Sequence, residues 1–344
     1  MRGFLRPVGV ACLLALAVTG CSSGSDGSSD GSSGAGGGST SQGSVAKGGG
    51  DTEYAPYVSA TTPSSTDATG SPATYNLAFV ISDGTSCEPK WDGQYGVDNA
   101  EVKARITALR KSGGSVRVSF GGASGKELAS VCDSAEDLAK AYGAALDAAG
   151  STQADFDIEG TQLADADSVA LRSEAIALLE KDRDDLTVSY TLPVMPSGLD
   201  DDSIALLESA NDHDIDVSTV NIMTMNYGSS YDDDMGDYAL TSAKAAHTQL
   251  AKVFGMTSAD TWQGMAITSM LGVQDVAHET FTLQDAAQVR EFAEEKGVAW
   301  VSVWSTFRDR QCEDDKAGQD DASTDCSGVK QSPGAFAKAL SGTA

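Results

Sequence analysis

Three carboxylates, Asp155, Asp157 and Glu159, stand two residues apart in the run Ala154-Asp155-Phe156-Asp157-Ile158-Glu159-Gly160. In an extended strand successive side chains point to opposite faces, so the three acids share one face and Phe156 and Ile158 the other. Like charges held that close cannot all ionise independently. At least one carboxyl must keep its proton toward neutral pH beside an ionised neighbour. A proton donor next to a carboxylate is the raw material of glycosidic bond cleavage. Acidic strand ends also bind calcium or simply face solvent, so the surrounding elements have to decide.

Those elements alternate. Short apolar runs at Tyr54 to Ser59, Tyr75 to Ser82, Ser115 to Phe120, Ala154 to Ile158, Leu186 to Thr191, Val217 to Met225, Gly264 to Ser269 and Val298 to Trp304 read as eight strands. Segments of helical period separate them at Asn99 to Lys111, Ala135 to Ala148, Ala166 to Lys181, Asp201 to Asn211, Asp237 to Val253 and Leu283 to Lys296, with a terminal helix near Gly334 to Leu340. Only the first connection, Thr62 to Gly70, is too short and polar for a helix. The pattern predicts an α/β fold, a (β/α)8 TIM barrel, whose active site lies at the C-terminal ends of the strands. An open doubly wound sheet is the alternative, but no Gly-rich phosphate fingerprint follows an early strand. The acidic triplet falls at the end of the fourth strand.

The ends and the composition frame this domain. Residues 1–20 read as a secretory signal, with Arg2 and Arg6 ahead of an apolar stretch from Val8 to Val18 that is too short for a permanent membrane span. The ending Val18-Thr19-Gly20-Cys21 is similar to a bacterial lipobox, which makes Cys21 the expected lipid anchor; an ordinary cleaved signal is the alternative. The rest of 21–52 is nearly all Gly and Ser, a composition that cannot bury enough apolar surface to fold. Such a tether reaches roughly 30 Å. Residues 53–344 then suffice for one barrel. The expected location is that of an exported bacterial lipoprotein, anchored on the outer face of the cell membrane or shed. A formal charge of −27 argues against nucleic acid and anionic lipid surfaces as partners, leaving the lipid as the only membrane contact.

With Cys12 in the signal and Cys21 lipidated, Cys87, Cys132, Cys312 and Cys326 remain for two disulfides. Three connectivities are open, and pairing Cys87 with Cys132 and Cys312 with Cys326 is favoured. The first would join loops after neighbouring strands, and the second would close an Asp-rich loop after the last strand. His213, His247 and His278 stand far apart, and the cysteine spacings fit no tight zinc pattern, so neither metal nor cofactor is expected.

Together with three other motifs, the acidic run resembles the family 18 glycoside hydrolases, the chitinases. Their signature DxxDxDxE on the fourth barrel strand is matched by Thr152-Gln153-Ala154-Asp155-Phe156-Asp157-Ile158-Glu159, with Thr152 in place of the first Asp. The SxGG of the third strand is matched by Ser119-Phe120-Gly121-Gly122. A Met-x-Tyr closing the sixth strand is matched by Met225-Asn226-Tyr227, with Gly228 where many relatives carry Asp and Asn226 as its substitute. The tryptophan that ends strand eight is matched by Trp304, with Trp300 a competitor on the same strand. The similarity runs from about Tyr54 to the C-terminus.

This resemblance implies a retaining, substrate-assisted mechanism, one of the exceptions to the two-carboxylate scheme. Glu159 would protonate the glycosidic oxygen, the 2-acetamido carbonyl of the sugar would attack its own anomeric carbon, and Glu159 would then activate water. Asp157 would hold the acetamido N–H, Asp155 would share a proton with Asp157, and Tyr227 would orient the carbonyl oxygen. Trp304 would floor the sugar, with Met225, Asn226, Met270, Gln274 and Asp275 lining it and Trp91 and Tyr190 as further neighbours. Gly121 and Gly122 would serve the site through their backbone; Ser119 would be structural, and Arg308 and Asp309 an ion pair or loop anchor. The implied partner is chitin or N-acetylglucosamine oligosaccharides, cut by a monomer with no separate chitin-binding module. Two alternatives stay open: a non-catalytic glycan-binding protein on the same barrel, and an endo-β-N-acetylglucosaminidase acting on N-glycans.

Overall fold

The computed structural model describes residues 52–123, 126–313 and 325–343. The signal, Cys21 and nearly all of the Gly/Ser tether lie outside the described residues. Eight parallel strands close into a barrel: a split first strand (Glu53–Tyr54 and Tyr57–Ser59), then Thr74–Ile81, Ser115–Gly121, Gln153–Asp157, Thr187–Pro193, Val217–Met223, Met265–Met270 and Trp300–Trp304. The first strand is broken because Pro56 has no N–H to give a ladder. Its first half pairs with the eighth strand, Tyr54 opposite Val301, and its second half with the second strand, Tyr57 opposite Asn76, so the two halves close the seam.

Seven helices expected from the period are present within a residue or two of their expected ends. Side-chain caps explain the starts: Asn99, Ser134, Asp165, Asp200 and Asp234 each accept from first-turn N–H groups, and Thr282 forms a capping box with Asp285. The connection from Thr62 to Gly70 is a series of turns, as its composition implied. Two short helices, Thr161–Ala164 and Ser258–Gln263, and two small hairpins were not legible beforehand; each is too short to display a period. Among the described residues no helix is long and apolar enough to cross a membrane.

Alternation sorts the side chains into an apolar outer layer and a polar lumen. Phe120, Phe156 and Tyr190 point outward, where Phe120 stacks on Phe156 (5.3 Å between centroids) and Tyr142 from the helix Ala135–Ala149 packs edge-on against both. The lumen fills in layers. At the bottom Arg117 donates to Asn76 (2.7 Å) and stacks on Trp300 (3.9 Å). Above it lie Tyr57, Ser119, Asp155, Ser189, Thr191, Asn221 and Thr268, joined by hydrogen bonds. The third layer, at the C-terminal ends of the strands, is the candidate site. Trp300 is therefore part of the barrel floor, and Trp304, four residues on, belongs to the site.

Both expected disulfides are formed, Cys87 with Cys132 and Cys312 with Cys326. The first ties the loop after the second strand to the loop after the third. That third-strand loop is fastened inward as well. Glu127, fully buried, accepts from Arg172 (2.8 Å) on the helix after the fourth strand and from Tyr142 (2.7 Å).

Candidate active site

A cavity of about 580 Å³ opens at the C-terminal end of the barrel and contains Asp157, Glu159 and Trp304 in its wall. A larger and more open groove, about 990 Å³, runs along the outer helical layer between Ala135–Ala149 and Ala166–Lys181; its walls hold none of the motif residues.

The three acids have separate surroundings. Asp155 is buried in the middle layer and its carboxylate accepts from four hydroxyls: Tyr57 (2.9 Å) and Ser119 (2.6 Å) on Oδ2, Ser189 (2.9 Å) and Thr191 (2.8 Å) on Oδ1. Sharing a proton with Asp157 was the role expected of Asp155. In the structure its oxygens are taken up by these hydroxyls, and Asp157 pairs with Glu159 instead. Asp157, the last residue of its strand, is buried and raised well above the usual carboxylate range by desolvation first, then by the charges of Glu159 and Asp155 and by its own hydrogen bond to Glu159. Glu159 is raised by burial too, and the bond from Asp157 partly offsets this. The directions agree on one picture: Asp157 holds a proton that it donates to Glu159. Oδ1 of Asp157 is buried with no protein partner.

Gly121 and Gly122 act through the backbone. The Gly122 N–H donates to the Asp157 carbonyl (2.9 Å), and a Cβ on Gly121 would fall 2.1 Å from that same oxygen. Only glycine lets the third strand approach the fourth so closely. Neither glycine is in the cavity wall, and Ser119 serves Asp155.

Opposite the acids, Trp304 stacks on Phe79 (5.4 Å) with Tyr57 edge-on (5.8 Å), which gives the cavity an aromatic floor. Met225, Asn226, Met270 and Asp275 line it as expected, joined by Met223, Thr191 and Thr268. Tyr57, Phe79, Asp92 and Phe307 also line it, and sequence reasoning missed them; the inward phase of the first two strands is the signal that would have found Tyr57 and Phe79.

Three expectations need correction. Tyr227 does not reach the cavity. Asn226 adopts a left-handed backbone (φ 55°), which breaks the strand alternation after Met225 and turns Tyr227 against Tyr231, Tyr238 and Ser242. The cavity is lined by Met223, Met225 and Asn226, so Met225 and Asn226 of the Met-x-Tyr reach it and Tyr227 does not. Gln274 is buried behind the wall, where its side-chain oxygen accepts from the Asn226 N–H (2.8 Å). Trp91 and Tyr190 are fully buried, the latter on the outward face of its strand under the helices, and neither can meet a sugar.

Arg308 and Asp309 are anchors: Arg308 donates to the carbonyls of Leu271 (3.3 Å) and Val273 (2.5 Å), and Asp309 accepts from the N–H groups of Phe336 and Ala337 at the start of the last helix. Thr152 is exposed at the far end of the fourth strand, remote from Glu159. Among the described residues no group of three or more His, Cys, Asp or Glu side chains could hold a metal ion.

Comparison with known proteins finds similarity to chitinases. No family model matches it. It is 34% identical over 275 residues to a probable bifunctional chitinase/lysozyme of Escherichia coli, covering 74% of this chain and 31% of that one. It is 32% identical over 276 residues to endochitinase 11 of Metarhizium anisopliae, covering 74% and 52%. The chain thus spans about a third to a half of the curated relatives it matches. Its fold superposes on the catalytic domain of a hyperthermophilic chitinase from Pyrococcus furiosus with a TM-score of 0.73 at 25% identity, covering 85% of this chain and 94% of that one.

Proposed function

We propose that this barrel is a chitinase-like glycoside hydrolase of family 18, which hydrolyses β-1,4 bonds between N-acetylglucosamine residues with retention of configuration. The observation that carries this reading is the placement of hydrogen-bonded Asp157 and Glu159, both raised by burial, in one cavity wall with Trp304 across the barrel.

A sugar laid on Trp304 brings its 2-acetamido group toward Asp157. Asp157 then turns its hydrogen bonding from Glu159 to the acetamido N–H, and the shared proton passes to Glu159. Glu159 gives that proton to the glycosidic oxygen as the bond to the anomeric carbon breaks. The acetamido carbonyl oxygen attacks the same carbon and forms an oxazolinium ion, whose N–H bonds to ionised Asp157. Glu159, now a carboxylate, takes a proton from water; the water oxygen attacks the anomeric carbon and reopens the ring. Asp155, its oxygens taken up by four hydroxyls, anchors the hydrogen-bonded layer below the pair. A sugar without the acetamido group has no internal nucleophile, so cellulose is not a substrate.

The test is hydrolysis of a chromogenic N,N'-diacetylchitobioside by the full chain beside Glu159→Gln and a cellobioside control. We expect turnover of the acetamido sugar only, and its loss with retained binding in the variant. Unchanged turnover in Glu159→Gln would remove Glu159 from its role, and binding without turnover in the wild type would favour a glycan-binding protein.

We further propose a monomer, exported and anchored through a diacylglyceryl group on Cys21, the only membrane contact. Partition of the chain into the membrane fraction, abolished by Cys21→Ser, is the expected result; partition unaffected by the substitution would exclude that anchor.

A further inference from the structure

The cavity wall is acidic well beyond what bond cleavage uses. Among its described residues there is no Lys, Arg or His, whereas Asp92 and Asp275 join Asp157 and Glu159. Asp92 sits on the loop after the second strand, half-buried, with Thr61 donating to one oxygen (2.7 Å). Asp275 sits on the loop after the seventh strand, exposed, with the Asn226 side-chain amide at 3.3 Å from one oxygen. No ion pair among the described residues engages either carboxylate.

Their placement gives these charges a use. In the closed barrel the seventh, eighth, first and second strands are consecutive, so Asp275 and Asp92 stand on either side of Trp304 and Tyr57. A sugar on Trp304 faces Glu159 across the barrel, and the neighbouring sugars of the same chain extend past the two flanking loops. A cleft lined by one sign of charge raises the local concentration of the opposite sign and excludes its own. The carboxylates do not converge as a metal site would, which leaves separate, directional acceptors.

Resting on the proposed activity, we infer that the preferred substrate is partially deacetylated chitin. An acetamido sugar occupies the Trp304 position, where it supplies the nucleophile, and free-amine sugars occupy the flanking positions, where their ammonium groups bond to Asp92 and Asp275. The same field disfavours glycans whose sugars carry carboxylates.

The test compares kcat/KM of the full chain on a fully acetylated chito-oligosaccharide and on one of equal length with defined internal amines. Both are measured at mildly acidic pH, where the amine is charged, at low and at high salt. The expected result is a preference for the amine-bearing oligomer of about two- to fivefold per contacted amine, the size of a partly exposed ion pair. High salt erases it, and Asp92→Asn or Asp275→Asn lowers the ratio toward one. A ratio at or below one at low salt overturns the inference, as does a ratio that survives both substitutions. So does hydrolysis of peptidoglycan glycan strands freed of their stem peptides, whose lactyl carboxylates meet the same field, as fast as the acetylated oligomer. Cleavage of the acetylated oligomer in any of these cases leaves the proposed activity standing, whereas no turnover of any acetamido oligomer overturns both readings.

Discussion

Asp155, Asp157 and Glu159 stand two residues apart, in one phase of the strand, and differ greatly in circumstance. Four hydroxyls donate to Asp155, while Asp157 is desolvated beside two other acids, which raises its pKa well above the usual carboxylate range. That difference is a stability statement. A carboxyl whose folded pKa lies above its unfolded value, about 3.9, favours the native state fully below that value and loses the contribution as pH rises through the folded pKa. Above that window ionised Asp157 is a buried charge that weighs on the fold. Asp157→Asn is therefore expected to melt a few degrees above the wild type at alkaline pH, with the gap closing toward pH 4. Thermal melts at the two pH values check this, and a gap that does not change with pH would mean that Asp157 carries no such burden. The shared face of these acids was legible from alternation alone, since a strand has only two faces. Tyr227 was misread by the same rule, because one left-handed residue, Asn226, ends the alternation and an Asn in the sequence does not announce its φ.

What holds Asn226 in that conformation is another element, the hairpin Gly272–Val273 with Thr280–Phe281. Gln274 accepts from the Asn226 N–H, Asp275 exchanges two bonds with the Asn226 side chain, and buried Glu279 accepts from the N–H groups of Tyr227 (3.1 Å) and Gly228 (2.7 Å). A carboxylate that receives two backbone donors fixes the loop that carries Met225 and Asn226 into the cavity. Glu279→Gln replaces one acceptor by an N–H that faces another N–H. With hydrogen bonds to charged groups near 1.5–3 kcal/mol, kcat/KM is expected to drop about tenfold or more, while the helical circular dichroism signal stays intact. Wild-type kinetics in this variant would show that the clamp does not position the wall. The barrel's strands and helices could be read because their periods are local. This clamp could not, since it joins residues 48 to 52 apart in sequence and depends on side-chain geometry in a segment with no period at all.

Across the whole molecule, the barrel frame is set by layers and caps, and the loops above it are set by cross-links. Cys87–Cys132 closes a separation of 45 residues and Cys312–Cys326 one of 14, so loop-closure entropy alone gives about 4 and about 3 kcal/mol respectively. The two bridges differ more in what they hold. Phe79 and Asp92 precede or share the loop joined by Cys87, and Ala123 lies in the loop joined by Cys132, so the first bridge spans the rim of the cavity directly. Among the described residues, the second bridge meets the clamp hairpin through Ser327, whose carbonyl accepts from Val273 (2.8 Å). Replacing either pair by serine should lower Tm. The Cys87→Ser/Cys132→Ser protein should also show a raised KM for chito-oligosaccharides with kcat less affected, because the aromatic floor and Asp92 bind the chain but do not transfer the proton. Equal KM values in the two double variants, each measured well below its own Tm, would show that the first bridge supports the fold and not the rim.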